Sequence, residues 1–125
     1  MGRLSDLLRP IYSSSASDEG MAHLAAIAHP DFEMRTVGLW LDDDRREHRG
    51  LGQVREFFDS LEEAFDFRFE QPDFTEEGDT VTVSFLLSLA GRHSGIRSQR
   101  GFTHTWRFEE GRALSVVVSL PEDDA

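Results

Sequence analysis

The sequence predicts an α+β domain in which three N-terminal helices pack on one face of a curved, mainly antiparallel sheet, and three observations lead to it. Apolar residues recur at helical spacing near the N-terminus and again around Val54. Alternation with a period of two dominates the second half. A chain of 125 residues, 38% hydrophobic and 30% charged, can bury one core but not two. Residues 1–125 therefore read as a single domain, with no internal repeat and no low-complexity tract.

Each element has its own signal. Leu4, Leu7, Leu8 and Ile11 share a helix face, and the Ser13-Ser14-Ser15 run ends it. Ser17 suits an N-cap, Asp18 and Glu19 suit the positive end that follows, and Met21, Leu24, Ala25, Ile27 and Ala28 supply an apolar face. His29-Pro30 stops this second helix, because proline disfavours helical geometry in the residue before it. Phe32, Met34 and Thr36 then alternate with Glu33 and Arg35 in a first strand. Residues 42–46, three aspartates and two arginines, form a solvated turn, and Arg49-Gly50 leads into a third helix carried by Val54, Phe57, Phe58, Leu61 and Phe65.

The remaining segments are strands. A short one surrounds Phe67-Arg68-Phe69. After a turn at Glu76–Asp79, Val81, Val83, Phe85, Leu87 and Leu89 alternate with smaller polar residues. Phe102, His104, Trp106 and Phe108 do the same beyond the Gly91–Gly95 turn. Placing Val83 and Phe85 on the face of Phe102 and His104 requires an even number of unpaired residues between these strands. Four of them (Arg92 to Gly95), six, or a bulge all satisfy that condition. Glu109-Glu110-Gly111 reads as a three-residue hairpin loop pairing Phe108 with Arg112, which sets Trp106 opposite Leu114 and His104 opposite Val116. Residues 121–125 read as a frayed acidic tail.

Composition removes several functions. Cysteine is absent, so there are no disulfides, thiolate nucleophiles or cysteine zinc sites. All thirteen basic residues are arginine, which excludes lysine nucleophiles. A net charge of -11 repels phosphate backbones and anionic membranes, so neither nucleic acid nor membrane is an expected partner. The early residues contain no continuous apolar run, and a cytoplasmic location is expected. The five histidines never reach metal-ligand spacing, and Asp42-Asp43-Asp44 lacks the glycine and glutamate frame of a calcium loop, so no metal is expected.

Several segments together resemble a known family. These are His29-Pro30-Asp31-Phe32, Arg49-Gly50-Leu51-Gly52-Gln53-Val54, Gly78-Asp79-Thr80-Val81, Ser94-Gly95-Ile96, and His104-Thr105-Trp106-Arg107-Phe108 with Glu110-Gly111-Arg112. In that order and spacing the sequence resembles the SnoaL-like group of the ketosteroid-isomerase and nuclear-transport-factor-2-like superfamily. The resemblance implies a cone-shaped, cystatin-like fold in which helices close a bent sheet around an apolar cavity, commonly in a homodimer. It leaves the activity open, because this scaffold hosts isomerases, cyclases, epoxide hydrolases, dehydratases, binding proteins and transport adaptors. In the resemblance, the proton-shuttling aspartate of ketosteroid isomerases falls on Thr36, their oxyanion-holding aspartic acid on His104, and their first-helix tyrosine near Pro10 rather than on Tyr12. Steroid isomerisation is therefore disfavoured.

The candidate catalytic residues are His104, Arg100, Tyr12 and Asp31. An imidazole on an apolar strand face can pass protons or meet a ligand oxygen; alternatively it is a structural histidine bonded to a neighbour such as Tyr12. Arg100 shares the His104 face if no bulge intervenes, where it can clamp a carboxylate or enolate oxygen, or it has left the core and is solvated. Tyr12 can polarise an oxygen. Asp31 is either an acid or a cap at the helix-to-strand corner. Phe32, Met34, Thr36, Trp40, Phe85 and Trp106 are the expected pocket lining, or else packed core. The reading that follows is a homodimeric binder of a small apolar organic ligand. As an enzyme it would be a cofactor-free isomerase, cyclase, lyase or epoxide-hydrolase-like catalyst working by proton transfer. The alternative is a non-catalytic ligand-binding or protein-interaction module.

Overall fold

Leu8 and Tyr12 stand one helical turn apart and are both buried, which fixes the face that the first helix turns to the sheet. A computed structural model describes residues 3–13, 17–36 and 47–119. Its elements are α1 (Arg3–Tyr12), α2 (Ser17–Ile27), β1 (Ala28–Thr36), β2 (Glu47–Arg49), α3 (Gly50–Ala64), β3 (Phe65–Glu77), β4 (Thr80–Gly91), β5 (Arg97–Glu109) and β6 (Arg112–Ser119). The strands form a single sheet in the order β2-β1-β6-β5-β4-β3. All neighbours are antiparallel except β1 and β6, which run parallel. The core lies between the inner sheet face and the helices, and includes Leu24, Phe32, Met34, Val54, Val83 and Trp106.

The start of α1 is secured from a distant strand. Ser5 donates from its backbone N–H and its hydroxyl to Glu76 Oε1, both at 3.0 Å, so a β3 carboxylate satisfies a first-turn amide. These bonds hold the Glu76 carboxyl below the usual carboxylate range. Arg9 lies over the Phe74 ring at 4.5 Å, a second tie between α1 and β3.

Three expectations about the elements are corrected. Phe65 belongs to β3 rather than to α3, which ends at Ala64. It begins a phenylalanine alternation with Phe67 and Phe69 that packs against the core. The short segment around Phe67–Phe69 is in fact a thirteen-residue strand. Its register shifts between Glu70 and Asp73, where Gln71 takes a left-handed φ of 53° before Pro72; the bulge absorbs a proline that has no N–H to give the ladder. β2 was not anticipated, because three polar residues carry no periodic signal; it pairs with β1 through Met34 and His48. The expected turn at 42–46 and the tail at 121–125 lie outside the described residues.

The two hairpins differ from each other. Between β4 and β5, Ala90 pairs with Arg97 and Gly91 N–H donates to Ile96 O at 2.9 Å, so the loop is the four-residue option, Arg92 to Gly95. Val83 then faces His104 and Phe85 faces Phe102. Between β5 and β6 the three-residue loop is overturned. Glu109 pairs with Arg112 around a two-residue turn, Glu110-Gly111, whose φ angles of 52° and 79° are those of a type I′ turn. A register shift between Arg107 and Phe108 then sets Trp106 opposite Val116 and His104 opposite Val118. That bulge takes Leu114 out of the ladder, and Ala113, Val116 and Val118 are the buried residues of β6.

Arg92 joins the β4–β5 loop to the end of α3. Its N–H donates to Ala64 O at 3.0 Å, its guanidinium donates to Glu62 O, and its side chain lies 3.0 Å from Asp66 Oδ1. A cation at a helix C-terminus meets carbonyls with no intrahelical partner.

Candidate functional site

α1 brings Tyr12 to the inner face of β5, where His104 and Trp106 are two residues apart and so point the same way. Trp106 Nε1–H donates to Tyr12 Oη at 2.8 Å, and Tyr12 Oη lies 2.5 Å from His104 Nδ1. Indole N–H can only donate, and the phenol carries one proton. Tyr12 therefore accepts from Trp106, and its own proton has His104 Nδ1 within reach; when it donates there, Nδ1 accepts and the imidazole proton sits on Nε2, and in the other tautomer Nδ1–H donates to Tyr12 Oη. Aromatic rings surround this chain. The His104 ring centroid is 4.6 Å from that of Phe85, 5.6 Å from Tyr12 and 6.2 Å from Phe69.

Burial dominates the electrostatics. It pushes the His104 pKa down to about 3, because protonation would place an uncompensated charge among rings. It also raises the Tyr12 phenol far above its ordinary value, only partly offset by the Trp106 bond. No carboxylate is bonded to His104 among the described residues. The imidazole is thus neutral at ordinary pH.

A hollow of about 1200 Å³ opens beside this chain. Its inner wall includes Tyr12, Phe32, Met34, Phe67, His104 and Trp106. Strand alternation assigns Phe67, Leu89 and Ser98, which are matched across β3, β4 and β5, to this wall. Asp66 and Arg97, with Arg68, Ser88 and Gln99, alternate to the outer face. The volume therefore includes a groove that runs around the hairpin end of the sheet as well as the inner space.

The candidate residues separate accordingly. His104 and Tyr12 come together on the wall of the hollow. Arg100 keeps the parity of His104 and stands opposite Leu87 without a bulge, yet its side chain is exposed and lies off the hollow's lining. Asp31 is also exposed; its N–H donates to His29 Nδ1 at 3.0 Å, and its carboxylate is 3.9 Å from that ring. Phe32, Met34 and Trp106 line the space, whereas Phe85 packs behind His104 and Thr36 is buried beside Val118 on the β1–β6 pair. Trp40 lies outside the described residues. Sequence reasoning left out Phe67 and Phe69 as lining residues; the period-two phenylalanines from Phe65 were the available signal. No three metal-ligating side chains gather among the described residues.

The chain belongs to the SnoaL-like domain family, whose model matches residues 13–116. No curated protein matches its sequence. Solved structures share the fold. An NTF2-like protein of unknown function from Burkholderia pseudomallei is 21% identical with a TM-score of 0.78, over 97% of this chain and 92% of that one. TerC, co-crystallised with polyporic acid, is 19% identical with a TM-score of 0.80, over 94% and 91% of the two chains. A provisionally assigned SnoaL-like polyketide cyclase from Jannaschia sp. CCS1 is 16% identical with a TM-score of 0.77, over 92% and 83%.

Proposed function

We propose that the chain binds a small, mainly apolar organic molecule that carries a carbonyl or hydroxyl oxygen, and that His104 Nε2–H meets this oxygen as an uncharged donor. The observation that carries the reading is the Trp106–Tyr12–His104 chain on the wall of the hollow, which supports the tautomer with Nδ1 accepting from Tyr12 and the proton on Nε2. A preorganised donor in an apolar site stabilises negative charge developing on a carbonyl oxygen, which acidifies the adjacent C–H bonds. The corresponding reactions are cofactor-free isomerisation, cyclisation or hydration by proton transfer. The polyporic acid complex of TerC and the assignment of the Jannaschia protein support a ligand of this kind. A second reading, binding without catalysis, is supported by the lack of a carboxylate bonded to His104 among the described residues. The chain is proposed to work as a cytoplasmic homodimer, using the outer sheet face around Thr82, Leu86, Thr105 and Val117.

Vibrational spectroscopy of bound quinones and enones tests the donor. The carbonyl stretch should shift to lower frequency on the wild-type protein and return toward its free value on His104→Leu. A panel of such ligands that neither binds nor raises the melting temperature would sink the reading. Sedimentation at micromolar concentration tests the dimer, and a monomer would contradict it.

A further inference from the structure

The chain has three methionines. Met21 and Met34 are the two among the described residues, and both line the hollow. They come from different layers. Met21 lies on α2 and Met34 on β1, where it is matched with Val116 of β6, itself opposite Trp106 of β5. Met34 and Trp106 thus share one cross-strand row of the inner face, two strands and about 10 Å apart at the usual strand spacing. Met34 is 2% exposed and Met21 9%, so both belong to the interior wall rather than to the surface.

The aromatic part of that wall is stiff by comparison. Phe69 meets Tyr12 edge-on at 5.3 Å and Phe85 at 5.1 Å, and Phe32 stacks on Trp106 at 6.0 Å. A planar ring held by neighbouring rings turns only by displacing them. Methionine has three rotatable bonds and no branch, and its thioether adapts to an irregular gap. Polar selection inside the hollow is narrow as well. The buried lining residues with a side-chain nitrogen or oxygen are Tyr12, His104 and Trp106, and all three are joined in one hydrogen-bond chain, which leaves His104 Nε2 for a ligand. One ligand oxygen is placed there, and shape decides the rest.

We infer that Met21 and Met34 are specificity-determining residues that give the hollow an adjustable width, so that it accepts flat carbonyl compounds of one to three fused rings. The inference rests on the pocket reading above and adds the range of ligand sizes. A broader ring system meets fixed aromatic walls on β3 and β5 and gains room where the two thioethers swing aside. Leucine at the same positions has nearly the same volume, but its branch confines it to few rotamers. The exchange therefore removes adaptability while leaving the packing of the empty protein nearly as it was.

Three methyl ketones that share one head and differ by a ring test this: acetophenone, 2-acetonaphthone and 2-acetylanthracene. On the wild-type protein each added ring should tighten binding about tenfold, as apolar burial grows. In the double variant Met21→Leu/Met34→Leu, acetophenone should bind within about threefold of its wild-type affinity, whereas the anthracene ketone should bind about tenfold more weakly than to the wild-type protein. A second readout follows the side chains themselves. In wild-type protein labelled with carbon-13 at the methionine methyl groups, the Met21 and Met34 signals should move between the naphthalene and anthracene complexes as the thioethers change rotamer. Signals that stay in place while both ketones bind, or a double variant that keeps the full gain from the third ring, would overturn the inference and leave the pocket standing. A wild-type protein that binds the smaller ketones and rejects the three-ring one would do the same. Failure of all three ketones would overturn the pocket, and this inference with it.

Discussion

The two halves of β5 share one strand and an unbroken register with β4, yet they live in different media. From Phe102 to Phe108 the inner residues are buried, with Tyr12 of α1 against His104 and Trp106, and the titratable one, His104, is held neutral by burial among rings. From Arg97 to Arg100 every side chain is exposed. Alternation is the same in both halves; what differs is the cover of side chains, Tyr12, Phe69 and Phe85 among them, around the inner face. Cover decides whether a polar inner residue becomes part of a fixed hydrogen-bond chain or a solvated charge.

The covered half should be far more sensitive to substitution. Trp106→Ala removes a buried ring and the donor to Tyr12, and should cost about 3–5 kcal/mol in urea unfolding. A cost similar to that of a surface change would show that this half is not sealed. Tyr12→Phe keeps the ring but strands two buried nitrogens, and a loss of about 1–3 kcal/mol is expected. Acid probes the same contrast without mutation. Because His104 titrates near 3 when folded and near 6.5 when unfolded, the unfolded chain binds more protons between those values. Stability from this group is therefore full above pH 6.5 and declines as pH falls toward 3. The decline should amount to about 2 kcal/mol between pH 6.5 and 4.5. His104→Leu should flatten the unfolding profile in that interval, and an unchanged slope would deny the burial. Smallest of all, Arg100→Gln in the open half should alter stability by no more than about 0.5 kcal/mol. A larger effect would mean that the end is covered after all.

Much of this was legible in the residues. The period-two run through Phe102, His104 and Trp106 placed the histidine on an apolar inner face, and parity between β4 and β5 confined their loop to a few options. Other parts had no local signal. The β5–β6 register turned on Glu110 accepting a left-handed conformation and on a bulge at Leu114, each of which cancels the other's effect on which residues face inward. β2 is too short to have a period, and the Gln71-Pro72 bulge disguised β3 as a fragment. Tyr12 could be named as a possible partner of His104, but the link through Trp106 depends on how α1 lies across the sheet. That orientation is set by Glu76 at one end of the helix and the indole at the other.

The bond between Tyr12 and His104 joins positions 92 residues apart, and the one between Trp106 and Tyr12 spans 94. Closing so long a loop is entropically costly and is recovered only when the intervening strands are already in register. Tyr12 leaves the ribosome long before Trp106 exists, so its hydroxyl remains in water until nearly the whole sheet is made. The site is therefore a late event in the life of the chain. A ligand that needs the tautomer supported by this bond recognises only completed molecules, and its binding free energy adds to the stability of the entire domain rather than to one part of it.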